Sequence, residues 1–259
     1  MTESASIDIR GARVMVHRAG TGPSLLYLHG FDGAPPARAV MDRLAQHFQV
    51  ILPEHPGFGE SDTPAWLETI HDLAYFYLDF LAALELREVH IVGHGIGGWI
   101  ALETAIRSLE RLRTLTLIGS AGIHVKGVAK GDLFMRAPDV VLRSLFADQS
   151  IAEALLARTP TRADEDILIK NRFAIARVGW HPPLFDPHLA KWLHRISLPT
   201  HIVWGDTDRL FPIEYAREFQ RLIPDARTTV IPACGHAAHV ENPDALAAAV
   251  ASFVTEHAG

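Results

Sequence analysis

A glycine-rich turn between an apolar run and a helical segment is the first feature of the sequence that could do chemistry. Residues 89–99 read Val-His-Ile-Val-Gly-His-Gly-Ile-Gly-Gly-Trp. This pattern is typical of the strand–turn–helix in which a nucleophilic serine is held at the centre of G-x-S-x-G. Gly93 and Gly97 occupy the flanking positions, where the strand and helix backbones approach closely. The centre is Gly95 rather than serine.

The same glycines allow a second interpretation, a dinucleotide-binding loop of the G-x-G-x-x-G type through Gly93, Gly95 and Gly98. Such a loop is expected in the first strand–helix–strand unit, with an acidic residue about twenty positions later. Here several predicted strands come first, and the next strand ends at Ile118-Gly119-Ser120 without an acid. These observations favour the nucleophile turn, and a purely structural turn remains open.

Two later strand ends carry a carboxylate and a histidine. Residues 201–208 form an apolar run and a glycine turn with Asp206 and Asp208, and residues 231–236 end in a loop at His236. A buried carboxylate can orient a histidine, and that histidine can remove a proton from a nucleophile. A structural histidine is the alternative, since the chain has 15 histidines. Along the chain, Gly95 at the centre of the turn comes first, then the acid and then the histidine, and this order favours the catalytic interpretation.

The elements that position these residues alternate between short apolar strands and longer helical segments. Residues 70–84 carry apolar side chains with the period of an amphipathic helix. Residues 25–27 are apolar throughout, and residues 89–92 and 115–118 are mainly apolar runs of strand length. Buried strands that alternate with helices predict an α/β fold, a mostly parallel central sheet flanked by helices.

One long stretch interrupts this alternation. It has helical patterns and no convincing strand, and it is too long for a plain crossover between strands. We therefore expect a core at residues 1–120 and 199–259 with a helical cap inserted at residues 121–198. The expected cap helices are 133–146, 151–158, 164–177 and 188–196.

Four landmarks together resemble the α/β-hydrolase family over essentially the whole chain. They are the turn Gly93–Gly98, the loop His29-Gly30-Phe31-Asp32-Gly33, the segment Pro56-Gly57-Phe58-Gly59-Glu60-Ser61, and Gly235-His236 with the downstream Glu241-Asn242-Pro243. The resemblance implies that Asp208 is the catalytic acid, with Asp206 as the weaker candidate, and that His236 is the base. It also implies an oxyanion hole formed by the backbone N–H groups of Phe31 and Ile96.

Gly95 departs from this family pattern, because glycine has no side chain with which to attack a substrate. Glycine adopts the strained conformation of this turn without penalty, so the turn should form at least as well as with serine. Three explanations stay open. The chain is an engineered or variant serine hydrolase, a natural member in which His236 activates water or acts directly on substrate, or a non-catalytic ligand-binding protein on the same scaffold.

The expected substrate is a small or medium, partly apolar acyl compound, and ester, lactone or carbon–carbon bond hydrolysis would all suit this arrangement. Candidate substrate contacts are His29, His94, Ser120 and Trp180. For His29, His94 and Ser120 a structural role in the turn or loop is the alternative, and for Trp180 it is packing of the cap.

Composition limits the remaining functions. The chain has 259 residues, a formal charge of −6 and one cysteine, which argues against nucleic acid as a partner and against disulfides or multi-cysteine metal sites. His236 and His239 are closely spaced, but no third ligand stands out, so we predict no metal and no cofactor. The N-terminus lacks a signal-peptide pattern, and no apolar run reaches membrane-spanning length. We expect a cytoplasmic protein that does not bind membranes and is a monomer or homodimer.

Overall fold

A sheet of eight strands forms the centre of the computed structural model, which describes residues 2–258. The strands are β1 (Glu3–Ile9), β2 (Ala12–Ala19), β3 (Ser24–Leu28), β4 (Gln49–Pro53), β5 (Val89–His94), β6 (Leu112–Ile118), β7 (Thr200–Gly205) and β8 (Ala226–Ile231). Their order is β1-β2-β4-β3-β5-β6-β7-β8. Strand β2 pairs antiparallel with β1 and β4, and the other pairs are parallel. The predicted fold class is confirmed.

Helices cover both faces of this sheet. They are α1 (Arg38–Leu44), α2 (Ile70–Ala83), α3 (Ile96–Arg107), α4 (Pro138–Ser144), α5 (Gln149–Leu156), α6 (Arg162–Gly179), α7 (Glu214–Leu222), α8 (Ala238–Glu241) and α9 (Pro243–Glu256). Leu25 and Tyr27 of β3 share one buried cluster with α1 and α9, whereas Leu26 and Leu28 share another with α2, α3 and α7. Because successive side chains of a strand point to opposite faces, this division places the two helical layers on opposite sides of β3.

The chain between β6 and β7 is helical. It contains α4, α5, α6 and two short 3-10 turns, Leu189–Lys191 and Leu193–Arg195. Within residues 119–199, all of which the structure describes, an isolated bridge between Gly122 and Phe185 is the one β-type pairing. We propose that residues 121–198 form a cap, since these helices are inserted between two neighbouring strands of the sheet, and we use that name for the segment below.

Some element boundaries differ from the sequence prediction. The helix expected at 133–146 begins only at Pro138, because the residue before a proline is driven to an extended conformation, and Ala137 has ψ of 147°. The helix expected at 188–196 consists of the two 3-10 turns instead. Strand β1 was not predicted, although Ala5, Ile7 and Ile9 alternate with polar residues, and most of its residues are exposed. In the described part of the chain, no helix is both long and apolar enough to cross a bilayer.

Candidate active site

Gly95 lies between β5 and α3 in a backbone conformation that favours glycine, with φ of +55° and ψ of −114°. A β-carbon built on Gly95 would lie 3.4 Å from His236 Nε2 and 3.9 Å from the Cα of Gly30. Any side chain at position 95 would therefore begin in ordinary van der Waals contact with the imidazole ring.

The turn needs a second glycine for a different reason. A β-carbon on Gly97 would lie 2.1 Å from the carbonyl oxygen of Leu28. Such a contact is far inside van der Waals distance, so the first turn of α3 can pack on the end of β3 only when position 97 has no side chain. This close packing fixes where Gly95 is held.

His236 and Asp208 form a buried pair opposite this turn. His236 Nδ1–H donates to Asp208 Oδ2 at 2.9 Å. The other carboxylate oxygen of Asp208 accepts hydrogen bonds from the backbone N–H groups of Leu210 and Phe211, both at 2.8 Å. Asp206 instead accepts from the Cys234 N–H at 3.3 Å. The geometry thus pairs Asp208, not Asp206, with the histidine.

The second ring nitrogen of His236 is left without a partner. Within residues 2–258, Nε2 of His236 is buried and has no hydrogen-bond partner, and it is the atom closest to the β-carbon position of Gly95. With Nδ1 donating to Asp208, Nε2 carries the lone pair of the neutral ring. This atom can accept a proton from a group or a water molecule placed beside Gly95.

The predicted oxyanion-hole residues flank the same point. Ile96 is the first residue of α3, so its N–H belongs to the first-turn amides, which have no acceptor within the helix and carry the positive end of its dipole. Phe31 follows Gly30 in the loop after β3, and the Gly33 N–H closes that loop onto the Gly30 carbonyl at 3.2 Å. The role of these two amides stays a prediction.

His29 orders the loop that carries Phe31. Its Nδ1–H donates to the Gly30 carbonyl at 2.7 Å, and its Nε2 accepts from the His55 N–H at 3.0 Å. The His55 ring returns a hydrogen bond to the His29 carbonyl at 3.0 Å. Burial lowers the pKa of His29 and places the pKa of His55 well below its usual range. Both rings are therefore neutral supports for the loop at neutral pH.

A network of Asp32, His94 and His239 lies next to the His236 ring. His94 Nε2–H donates to the His236 carbonyl at 3.1 Å, and His239 Nε2–H donates to Asp32 Oδ2 at 3.0 Å. The His94 ring centroid lies 4.8 Å from that of His236 and 4.4 Å from that of His239. Sequence reasoning missed this network, although it noted the close spacing of His236 and His239.

Burial determines the pKa shift of His94, whereas contacts with His239 outweigh burial in the pKa shift of Asp32. Burial places the pKa of His94 well below its usual range, so this ring is neutral at neutral pH. Burial alone would raise the pKa of Asp32, but the charge and hydrogen bond of His239 outweigh it and hold the pKa well below the usual range. Asp32 is therefore an ionised carboxylate at neutral pH.

The other predicted substrate contacts are Ser120 and Trp180, whose roles stay predictions. The Ser120 hydroxyl is buried and donates to the Ala121 carbonyl at 2.8 Å, and a β-carbon on Gly98 would lie 2.4 Å from its oxygen. Trp180 is 49% exposed and packs edge-on against Phe134 in the cap, with ring centroids 5.0 Å apart. Ser120 thus packs beneath the first turn of α3, and Trp180 belongs to the cap.

A cavity of about 410 Å³ in the cap contains Trp180 in its wall. Most of its lining is apolar, and its two charged residues are Asp132 and Lys130, whose pKa burial lowers to about 8. Gly131, which also lines it, donates its N–H to the Leu210 carbonyl at 2.8 Å. The cavity therefore adjoins the chain segment that contains Asp208.

Glu241 connects the loop of His236 to the cap. One oxygen of its carboxylate accepts from the Gly235 N–H and the other from the Asp148 N–H, both at 2.6 Å. The Ala237 N–H also donates to the Leu145 carbonyl at 3.0 Å. The segments on either side of His236 are therefore held by the stretch of the cap that leads into α5.

Cys234 offers no alternative nucleophile. The side chain is fully buried, and burial raises the pKa of its thiol to about 12. Only the thiolate is a strong nucleophile, so this cysteine is inert at neutral pH.

Comparison with known proteins gives a family match over most of the chain and similar sequences that are named as hydrolases. The family model described as alpha/beta hydrolase fold matches residues 23–243. The 2-hydroxy-6-oxo-6-(2'-aminophenyl)hexa-2,4-dienoic acid hydrolase of Metapseudomonas resinovorans is 28% identical, with 97% of this chain and 91% of the relative covered. A 2-hydroxymuconate semialdehyde hydrolase from a Pseudomonas species is 29% identical, with 95% and 92% covered.

Solved structures have the same fold. A serine hydrolase involved in carbazole degradation superimposes with a TM-score of 0.81 at 26% identity, and 99% of this chain and 100% of the other are covered. A bacterial membrane phospholipase A reaches a TM-score of 0.83 at 22% identity, with 98% of this chain and 86% of the other covered, and supports the fold alone.

Proposed function

The chain belongs to the α/β hydrolase fold family, and we propose that it carries a hydrolytic site whose nucleophile position is occupied by Gly95. One observation carries the proposal: the β-carbon of a side chain at position 95 would lie 3.4 Å from the unpartnered Nε2 of His236. From there a serine hydroxyl could reach hydrogen-bond distance of the base, roughly 2.6–3.2 Å.

With serine at position 95, each group would have a defined role. His236 Nε2 would take the hydroxyl proton as the oxygen attacks the substrate carbonyl, and Asp208 would hold and stabilise the imidazolium. The N–H groups of Phe31 and Ile96 would stabilise the negative oxygen of the tetrahedral intermediate. The imidazolium would then return the proton to the leaving group.

With glycine at position 95, the covalent step is lost and the other groups remain. A water molecule beside Gly95 could attack the carbonyl while His236 Nε2 accepts its proton and later delivers it to the leaving group. The buried, unpartnered Nε2 favours this water-dependent hydrolysis. In serine hydrolases, removal of a triad member leaves roughly 10³–10⁴-fold acceleration over water. We therefore propose substrate binding with weak turnover.

The cap cavity and the relatives together suggest a substrate class. The cavity is lined mainly by apolar residues and by the oppositely charged Lys130 and Asp132, which suits a partly apolar substrate. Two relatives are named as hydrolases of a 2-hydroxy-6-oxo-dienoic acid and of a muconate semialdehyde. We propose carbon–carbon bond hydrolysis of an anionic dienoate-type ketone as the leading reaction, with ester or lactone hydrolysis as the other acyl reactions of the same site.

The test compares the native chain with His236→Ala on a 2-hydroxy-6-oxo-6-phenylhexa-2,4-dienoate and on nitrophenyl esters. We expect slow loss of the dienoate absorbance that disappears in His236→Ala, while dienoate binding persists in both proteins. A fluorophosphonate should label neither protein, because no hydroxyl stands at position 95.

Three outcomes would count against the proposal. A fluorophosphonate adduct on the native chain would identify a nucleophile other than residue 95. Turnover that survives His236→Ala would remove the base from the mechanism. Dienoate binding without turnover in the native chain and in Gly95→Ser would favour a ligand-binding protein on this scaffold.

A further inference from the structure

Three side chains with metal-binding atoms meet beside the proposed catalytic groups without being part of them. Asp32 follows β3, His94 is the last residue of β5, and His239 lies in α8. One possible ligand atom from each lies within 4.8 Å of the others. Because these residues come from three segments distant in sequence, their spacing along the chain gives no sign of the cluster.

The cluster contains polar atoms that the protein leaves unsatisfied. Within residues 2–258, Asp32 Oδ1 is buried and has no hydrogen-bond partner. His94 uses its Nε2–H to donate to the His236 carbonyl, so its Nδ1 keeps a free lone pair. Metal-binding histidines usually donate their second ring N–H to a carbonyl or carboxylate in this way. An ionised carboxylate oxygen without a partner is costly to bury.

One pair of ligand atoms is already close to the spacing around a single ion. Asp32 Oδ2 and His239 Nε2 are 3.0 Å apart. Two ligand atoms that each lie about 2.1 Å from one tetrahedral ion are separated by roughly 3.4 Å, so these two atoms need to move apart by only a few tenths of an ångström. An ion would replace the proton that now lies between these two atoms. The Asp32 side chain is 23% exposed, so the cluster lies close to solvent.

A second cluster of His71, Glu103 and Asp186 is less suited to an ion. The carboxylate of Glu103 already accepts hydrogen bonds from Arg107 at 2.5 Å and from the Trp99 indole at 3.2 Å. A cation at this position would be repelled by the guanidinium group. In the described residues, Asp32 has no ion pair with lysine or arginine and pairs only with His239. The second cluster therefore provides a matched control.

We propose that Asp32, His94 and His239 bind one divalent transition-metal ion, with Zn²⁺ preferred over Mg²⁺ and Ca²⁺. Two imidazoles and one carboxylate form a donor set that suits zinc, cobalt, nickel and iron, whereas Mg²⁺ and Ca²⁺ favour oxygen ligands. The ion would connect the loop of Phe31, the end of β5 and the segment that follows His236. This proposal is independent of the hydrolytic function, because it concerns side chains that take no part in the proton transfers.

The test is calorimetric titration of the chelator-treated full chain with Zn²⁺, and titration with Co²⁺ followed by visible absorption. We expect one tight equivalent of Zn²⁺ and a Co²⁺ spectrum typical of nitrogen and oxygen ligands. Asp32→Asn and His239→Gln preserve the approximate shape of each side chain. Each should weaken Zn²⁺ binding by at least about 100-fold, since loss of even a residue that supports a ligand costs about 10–100-fold. His71→Gln should bind as the native chain does.

Circular dichroism establishes that each variant is folded before titration, and the native chain alone already provides a decisive measurement. Absence of tight Zn²⁺ binding to the native chain would overturn the proposal. Tight binding that survives Asp32→Asn and His239→Gln, or that is lost in His71→Gln, would also overturn it, because the ion would then lie elsewhere. Hydrolytic activity is not part of the measurement, so failure of the proposed function leaves this result unaffected.

Discussion

Replacement of Gly95 by serine and by alanine separates the chemistry of position 95 from its conformation. The backbone there has φ of +55°, a region that costs a residue with a β-carbon about 1–3 kcal/mol. The nearest atom to that β-carbon is His236 Nε2 at 3.4 Å, so no steric clash is added to the strain. Both variants should therefore lose the same stability. At about 2–4 °C per kcal/mol for a protein of this size, we expect Tm to fall by about 2–12 °C.

Only serine should change the rate. In serine hydrolases, loss of the nucleophile costs about 10⁶-fold in kcat, although the rest of the site still accelerates the reaction. Restoring the hydroxyl beside an intact His236 and Asp208 should raise kcat/KM for nitrophenyl esters by at least about 100-fold. Gly95→Ser should also form a one-to-one adduct with a fluorophosphonate, and Gly95→Ala should not.

The pair of variants can refute this reasoning in two ways. Equal ester rates and no adduct in Gly95→Ser would show that a side chain at position 95 does not reach the base. A much larger loss of Tm in Gly95→Ser than in Gly95→Ala would show that the hydroxyl meets an obstacle rather than His236.

Three further predictions follow from burial and packing. Burial holds the pKa of His55 and His94 well below the usual value, so below pH 6.5 the unfolded chain binds more protons than the folded chain. The free energy of unfolding should therefore fall from pH 6.5 to 4.5, by up to about 1.4 kcal/mol per pH unit for each histidine. Urea unfolding across that range measures the slope, and a flat profile would contradict it. In the folded protein at pH 8, Cys234 should not react with a disulfide reagent, because the pKa of its buried thiol is about 12. In urea, one equivalent of the reagent should react. Rapid labelling of the folded protein would show that the thiol is accessible. Gly97→Ala should unfold the protein or lower Tm by more than 10 °C, because its β-carbon would lie 2.1 Å from the Leu28 carbonyl oxygen; a native Tm would contradict the packing of α3 on β3.

The sequence is most informative where residue type and local geometry are tightly linked. The glycines around position 95 predict the turn because a side chain at Gly97 would meet the Leu28 carbonyl. Strands β3, β5 and β6 are almost entirely buried and carry mainly apolar residues at their centres, so their pattern predicts a parallel sheet.

Contacts between distant segments lie beyond such reasoning. The hydrogen bond of His239 to Asp32 joins residues 207 positions apart, and only the packing of α8 against the loop after β3 brings them together. Ser120 follows β6 at the expected edge of the sheet, yet its hydroxyl donates to the neighbouring Ala121 carbonyl. A strand end places a residue near a site, but local packing decides where its side chain points.

The two hydrogen bonds accepted by Glu241 have a mechanical consequence for the cap. Hydrogen bonds to a charged group contribute about 1.5–3 kcal/mol each, and the Glu241 carboxylate holds the N–H groups of Asp148 in the cap and of Gly235 beside His236. A hinge motion that lifted this edge of the cap would have to break these bonds or pull the backbone next to His236 with it. Opening of the cap at this edge would therefore also displace His236. A substitution in the cap near Asp148 can then lower the catalytic rate although the substituted residue touches no substrate.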